Sequence, residues 1–362
     1  MPTHRFHEVD LLRGFACVAV VAFHYLHRGQ AAGWISSHAP AAIESVARYG
    51  YLGVHLFFII SGFVIFMSAQ GASVRSFAAS RAARLYPALW IAAPVTATMA
   101  WAFQRAEFQV QISQLLVNLT MFPHWLKVDF VDGAYWTLAV ELQFYLLIAL
   151  AIALRGMDRA EWWVAAWLGV SAVNAVRPMY PLEFWLAAKW APLFSAGICF
   201  YLLRFRGRSA VRLALLGVSY LLALKYEIGS LAQPPSGSAP DWVSASVRAG
   251  AISAFYALFF WIAGNHRQFK PTPIRVWAGL LTYPVYLLHQ NVGYEVLEAL
   301  RPLGLPFALR VPLTVATVGF MAWTIVVLVE KPLAPRIKKL INPTAAPRGQ
   351  SSRHDLRRDP AP

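Results

Sequence analysis

Apolar residues in this chain gather into long runs rather than alternating every second position. The runs are close to the 20 residues that a helix needs to cross a bilayer. They fall at about 9–28, 50–69, 85–104, 134–154, 161–177, 184–203, 209–225, 243–263, 276–295 and 307–329. Turn and breaker residues lie between them, among them QPPSGSAP (233–240) and KPTP (270–273). The pattern predicts an all-α, polytopic transmembrane bundle of about ten spans, with a membrane domain over 1–341.

Positive charge gives this map a direction. With the N-terminus inside, the cytoplasmic segments carry 21 Lys and Arg and the opposite side 7. Arg13, Lys189, Arg248 and Arg310 fall inside spans. Cytoplasmic loops are enriched in Lys and Arg, so both termini are expected in the cytoplasm. The polar start MPTHRFHEVD, with Arg13 in the first apolar run, does not read as a cleaved signal peptide. Residues 342–362, rich in Pro, Ser, Arg and Asp, read as a disordered basic tail.

Composition narrows the class further. The chain is 58% hydrophobic and 14% charged, against roughly 25% charged in soluble proteins. Lipid must therefore be the solvent for most of its surface. The net charge of +15 then belongs to basic loops near lipid headgroups, and nucleic acid is not an expected partner. Cys17 and Cys199 lie in apolar runs and read as small buried hydrophobes. Neither CxxC nor HExxH occurs, so no metal is expected.

Ionisable groups inside a bilayer are costly, which makes each a functional candidate. Arg13 and His24 stand eleven positions apart. That spacing puts them on one helical face and separates them by about 16 Å along the axis. Glu141, in YWTLAVELQFY, lies about 9 Å below the outer start of the fourth span, and His289, in TYPVYLLHQ, roughly 20 Å up the ninth. His24, Glu141 and His289 are thus expected at similar depth. A carboxylate beside an imidazole would fix its tautomer and suit it as a general base. Arg81 and Arg84, three apart in RAARLYP, share a face near the inner side. With Arg13 they would suit phosphate groups. Blander readings stay open: the arginines as positive-inside anchors, and Glu141 and His289 as an interhelical lock. Ser61, in FFIISGF, reads first as a small packing residue, and no GxSxG elbow accompanies it. His55, in GVHLFFIISGF, is a further candidate for the site.

These segments, in this order, resemble the membrane-bound acyltransferase-3 family over about residues 8–335. The parts are VDLLRGFACVAVVAFHY, GVHLFFIISGFVI, RAARLYPALW, YWTLAVELQFYLL, TYPVYLLH and VEKP. The resemblance implies a multi-pass protein of the bacterial cytoplasmic membrane that O-acetylates glycans. It implies an acyl-CoA donor, acetyl-CoA first, held from the cytoplasmic side, and a hydroxyl acceptor on an extracytoplasmic or lipid-linked saccharide. His24 matches the family's proposed catalytic histidine, Arg13 its paired arginine and Glu141 its buried glutamate. Arg81 and Arg84 match the donor-binding basic motif, and Ser61 and His289 match motif positions. His55 departs from the acidic residue expected there. Larger relatives carry an appended esterase-like domain, which is not expected here. The outer loop at about 105–133, with Trp125, is the expected place of sugar contact. The rival class is a secondary transporter, which also uses intramembrane Arg, His and Glu.

Overall fold

The computed structural model describes residues 6–229, 241–265 and 269–343. Arg5, Arg267, the 233–240 segment and the tail from residue 344 lie outside the described residues. Among those described, all regular structure is helical, with no strand. Helix α1 (His7–Phe23) runs through a π turn at His24–Arg28 and ends at Ala31. There follow α2 (Ala41–Ala47), α3 (Gly53–Ala69), α4 (Val74–Phe103), α5 (Ile112–Asn118), α6 (Trp136–Ala153) and α7 (Ala160–Val176). The remainder are α8 (Tyr180–Leu186), α9 (Ala191–Arg206), α10 (Ala210–Gly229), α11 (Asp241–Gly264), α12 (Pro273–Leu288), α13 (Asn291–Ala299), α14 (Phe307–Ile325) and α15 (Lys331–Ile341). A second π turn, Val326–Glu330, joins α14 to α15.

Each of the ten apolar stretches is mostly helical, and those at 184–203 and 276–295 are interrupted. Among the described residues, five continuous segments are long and apolar enough to cross a membrane: His7–Ala31, Ala41–Ala69, Gly133–Ala153, Trp242–Gly264 and Phe307–Ile341. The pair α8 and α9, bent by 41° at its break, makes a sixth if taken as one span. Three stretches differ from expectation in ways that matter. The third begins at Val74 rather than 85, because a Ser73–Ser76 capping box starts α4 early. Arg81 and Arg84 therefore ride on the helix itself. The ninth does not run unbroken: it stops at Leu288 and restarts at Asn291. The tenth continues as helix to Ile341.

Helix α3 is the centre of the bundle. Its most apolar window is 78% buried, whereas the corresponding windows of the first and last spans are 39% and 28% buried. Those outer helices turn large apolar side chains outward, such as Phe15, Val18 and Phe320, as expected where lipid is the solvent. Helix α9 packs closely on α3 because glycines face each other. A Cβ on Gly62 would stand 2.9 Å from the Phe194 carbonyl carbon, and one on Gly197 would stand 2.8 Å from that of Gly62. Small residues at such contacts let backbones approach and gain dispersion. The other central pairings, α1 with α12 and α1 with α3, bring the polar residues of four spans together.

Candidate active site

A cavity of about 360 Å³ opens between α1, α3, α4, α6 and α12. Its wall includes Arg13, Ser61, Arg81, Arg84, Glu141 and Tyr145, with aromatic and aliphatic side chains between them. Ser61 Oγ donates to Glu141 Oε1 at 2.9 Å, and Arg13 and Tyr145 stand within electrostatic reach of that carboxylate. Ser61, first read as a packing residue, is thus a polar partner on the cavity wall, and its neighbour Gly62 makes the helix contact.

The three arginines differ in their commitments. Arg84 is held: Nη1 lies 3.4 Å from Glu330 Oε2, Nη2 donates to the Gly279 carbonyl at 3.4 Å, and the guanidinium covers the Tyr283 ring at 5.5 Å. Arg81 donates to Ser80 Oγ at 3.0 Å and lies over the rings of Phe77 and Tyr145. No carboxylate lies within ion-pair distance of Arg81 among the described residues. Arg13 makes no hydrogen bond or ion pair among them. With Glu141 the carboxylate nearest to Arg13 on the cavity wall, the lining carries three guanidinium groups against one carboxylate.

The histidines form a second group next to the cavity. His24 and His289 meet edge to face, with ring centroids 4.9 Å apart. His289 is fully buried, and its Nδ1 donates to the Tyr286 carbonyl at 2.8 Å. Only N–H can donate to a carbonyl, so Nε2 carries the lone pair, and that atom is buried without a partner. His24 is half-buried, and its Nδ1 lies 2.9 Å from the Tyr294 hydroxyl. Tyr286 joins the two groups: it lines the cavity and packs on His289.

Two expectations are corrected by this geometry. Glu141 does not pair with an imidazole; it bonds Ser61 and faces Arg13, because α6 presents it to α3 and α1 inside the cavity. His55 does not join the cavity. Its Nε2 lies 2.9 Å from Glu227 Oε2, in a buried cluster with Tyr51 and Arg248 between α3, α10 and α11. The expected sugar-contact residue Trp125 packs on Phe122 and His124. From the same outer loop it is Phe108 that reaches the Tyr294 ring.

Three further residues shape the site without standing out in the sequence. Glu330, within the quoted VEKP, holds Arg84. Tyr294 reaches His24. Asp132, fully buried, accepts from Ala134 N at 2.8 Å and from Asn291 N at 2.9 Å. It thereby ties the start of α6, which carries Glu141, to the α12–α13 break, which carries His289. Thr137 Oγ1 to Tyr286 OH at 2.9 Å and Asn291 Nδ2 to the Val131 carbonyl at 3.1 Å run along the same seam. The DG pair at Asp132–Gly133 is a turn signal ahead of a helix, and it was the cue to Asp132, as VEKP was to Glu330.

The helical bundle thus encloses a cavity rich in arginine, with an imidazole pair beside it. Residues 6–329 match the acyltransferase-3 family, described as an acyltransferase domain, so the chain belongs to that family of membrane acyltransferases. It is 27% identical over 316 residues to the membrane-bound transacylase named BcsY of Komagataeibacter xylinus, covering 80% of this chain and 73% of that protein. It is 28% identical over 192 residues to the acyltransferase MdmB of Streptomyces mycarofaciens, covering 50% of this chain and 48% of that one. No solved structure matches.

Proposed function

We propose that this membrane acyltransferase moves an acetyl group from cytoplasmic acyl-CoA to a hydroxyl of an extracytoplasmic or lipid-linked glycan. The chain would cross the bacterial cytoplasmic membrane about ten times, with both termini inside. The observation that carries the reading is the excess of guanidinium groups, Arg13, Arg81 and Arg84 against the carboxylate of Glu141, in the lining of a cavity adjoining the His24–His289 pair. About 360 Å³ is at the small end of ligand pockets. That volume suits the acyl-pantetheine arm, with the nucleotide phosphates on the arginines towards the inner mouth.

In this mechanism His24 Nε2 takes the proton of the acceptor hydroxyl as its oxygen attacks the thioester carbonyl. The new C–O bond forms, the C–S bond breaks, and the CoA thiolate leaves and recovers the proton. Glu141 and Ser61 fix the Arg13 side of the cavity, so the thioester is held against the imidazole pair. Its test is release of CoA by purified protein given acetyl-CoA and candidate glycans. His24→Ala is expected to lower turnover by about 10²–10⁴, the range of general-base catalysis. Arg81→Ala is expected to raise KM for acetyl-CoA but not for acetyl-pantetheine, which has no phosphates. Retained transfer in His24→Ala overturns the base assignment.

A further inference from the structure

The histidine read as the base is itself held by a residue that no sequence motif marked. Tyr294 lies on α13, just beyond the α12–α13 break, and is fully buried. Its hydroxyl is 2.9 Å from His24 Nδ1. The His24 Nε2 makes no hydrogen bond among the described residues.

The tyrosine ring has little freedom. Phe108 stacks on it at 5.9 Å, and Trp34 packs at 5.6 Å. A Cβ on Gly29 would lie 2.8 Å from its Cε1, so the chain passes against the ring where only glycine fits. Gly29 closes the π turn that His24 opens, through Gly29 N donating to the His24 carbonyl. The same turn therefore carries the imidazole and makes room for the phenol. At its other end α13 is anchored by Asp132 on Asn291 N at 2.9 Å. A phenol fixed on so many sides, aimed at one ring nitrogen, does more than fill space.

We infer that Tyr294 is a positioning residue for the acyl transfer. Its hydroxyl occupies Nδ1 of His24, fixes the ring orientation, and leaves Nε2 as the nitrogen that takes the acceptor proton. The inference rests on His24 acting as the base. When His24 gains a proton, the hydroxyl oxygen accepts from Nδ1–H and stabilises the imidazolium. The hydrogen bond is thus stronger after proton transfer than before it, which is the condition for an effect on turnover rather than on binding.

The test uses the full-length protein in detergent or vesicles, with acetyl-CoA and the acceptor that supports turnover. Tyr294→Phe keeps the ring packing and removes only the hydroxyl. It is expected to lower kcat by about ten- to hundredfold, the equivalent of one hydrogen bond to a charged group, with KM for acetyl-CoA unchanged. Fluorotyrosine placed at 294 keeps both shape and hydroxyl but makes the phenol more acidic. It is expected to move the acid limb of the kcat–pH profile, which a packing role would leave in place. If Tyr294→Phe turns over at the wild-type rate, or fluorotyrosine leaves the limb unmoved, the positioning role is overturned while the His24 reading stands. If His24→Ala retains activity, both are overturned. If Tyr294→Phe fails to fold, the fluorotyrosine profile alone decides.

Discussion

Asp132 gives the structure its most direct experimental test. Its carboxylate lies at the start of α6, fully buried, and burial pushes the carboxyl up from the usual 3.8 to about 7 despite two backbone N–H donors. The folded protein then holds a proton between about pH 4 and pH 7 that the unfolded chain releases. Stability must fall as pH rises through that window and level off above it, because the native state binds more protons. A difference of about three units at 1.36 kcal/mol each gives about 4 kcal/mol across the window. Asp132→Asn removes the titration. It keeps one carbonyl acceptor for Ala134 N or Asn291 N and leaves the other donor unpaired, at a cost of about 1–3 kcal/mol. Thermal unfolding in detergent from pH 4 to 8 reads both effects. The wild type should lose several degrees of Tm between pH 4 and 7, and the variant should start lower and change less over that range. Parallel profiles for the two proteins would refute the reasoning, because every other titrating group is common to both.

Two further outcomes follow from packing and charge. Glu227→Gln leaves His55 and Arg248 without their buried counter-charge and should cost about 3–5 kcal/mol, read as a lower Tm, while the folded fraction keeps its turnover; lost turnover with unchanged Tm would place the cluster in the chemistry instead. Gly197→Ala forces a Cβ against the α3 backbone, with Phe63 N at 2.5 Å, and should cost about 1–3 kcal/mol or more by overpacking; an unchanged Tm would mean that α3 and α9 separate freely.

What could be read from the chain follows the reach of each rule. The Arg13–His24 spacing rests on 100° per residue along one helix, and that rule needs no partner. The depths of His24 and His289 followed from rise per residue, and the two rings do meet. The partner of Glu141 did not follow, because it depends on how α6 is rotated against α3, and rotation is set by contacts such as Gly62 with Gly197. An apolar stretch also hides its own interruptions. Residues 276–295 read as one span, yet the chain breaks at His289–Gln290, and the restart is capped by Asp132 from a loop about 160 residues earlier. No local propensity encodes such a cap.

The two π turns show why the candidate site was only partly legible. Hydrophobic pattern cannot separate i→i+4 from i→i+5 bonding, since both leave an apolar helix apolar. Yet an extra residue in a turn shifts everything after it by about 100°. One such turn opens at His24 and the other closes at Glu330. Extending an ordinary α-helix from Phe307 would rotate Glu330 away from the side where Arg84 waits. With the π turn, the carboxylate is 7% exposed and 3.4 Å from the guanidinium. Single π turns are rare and frequently mark functional sites. Their placement, one at the imidazole and one behind the cavity's committed arginine, is what geometry adds to the sequence: the helices were written in composition, but the register of their polar ends was not.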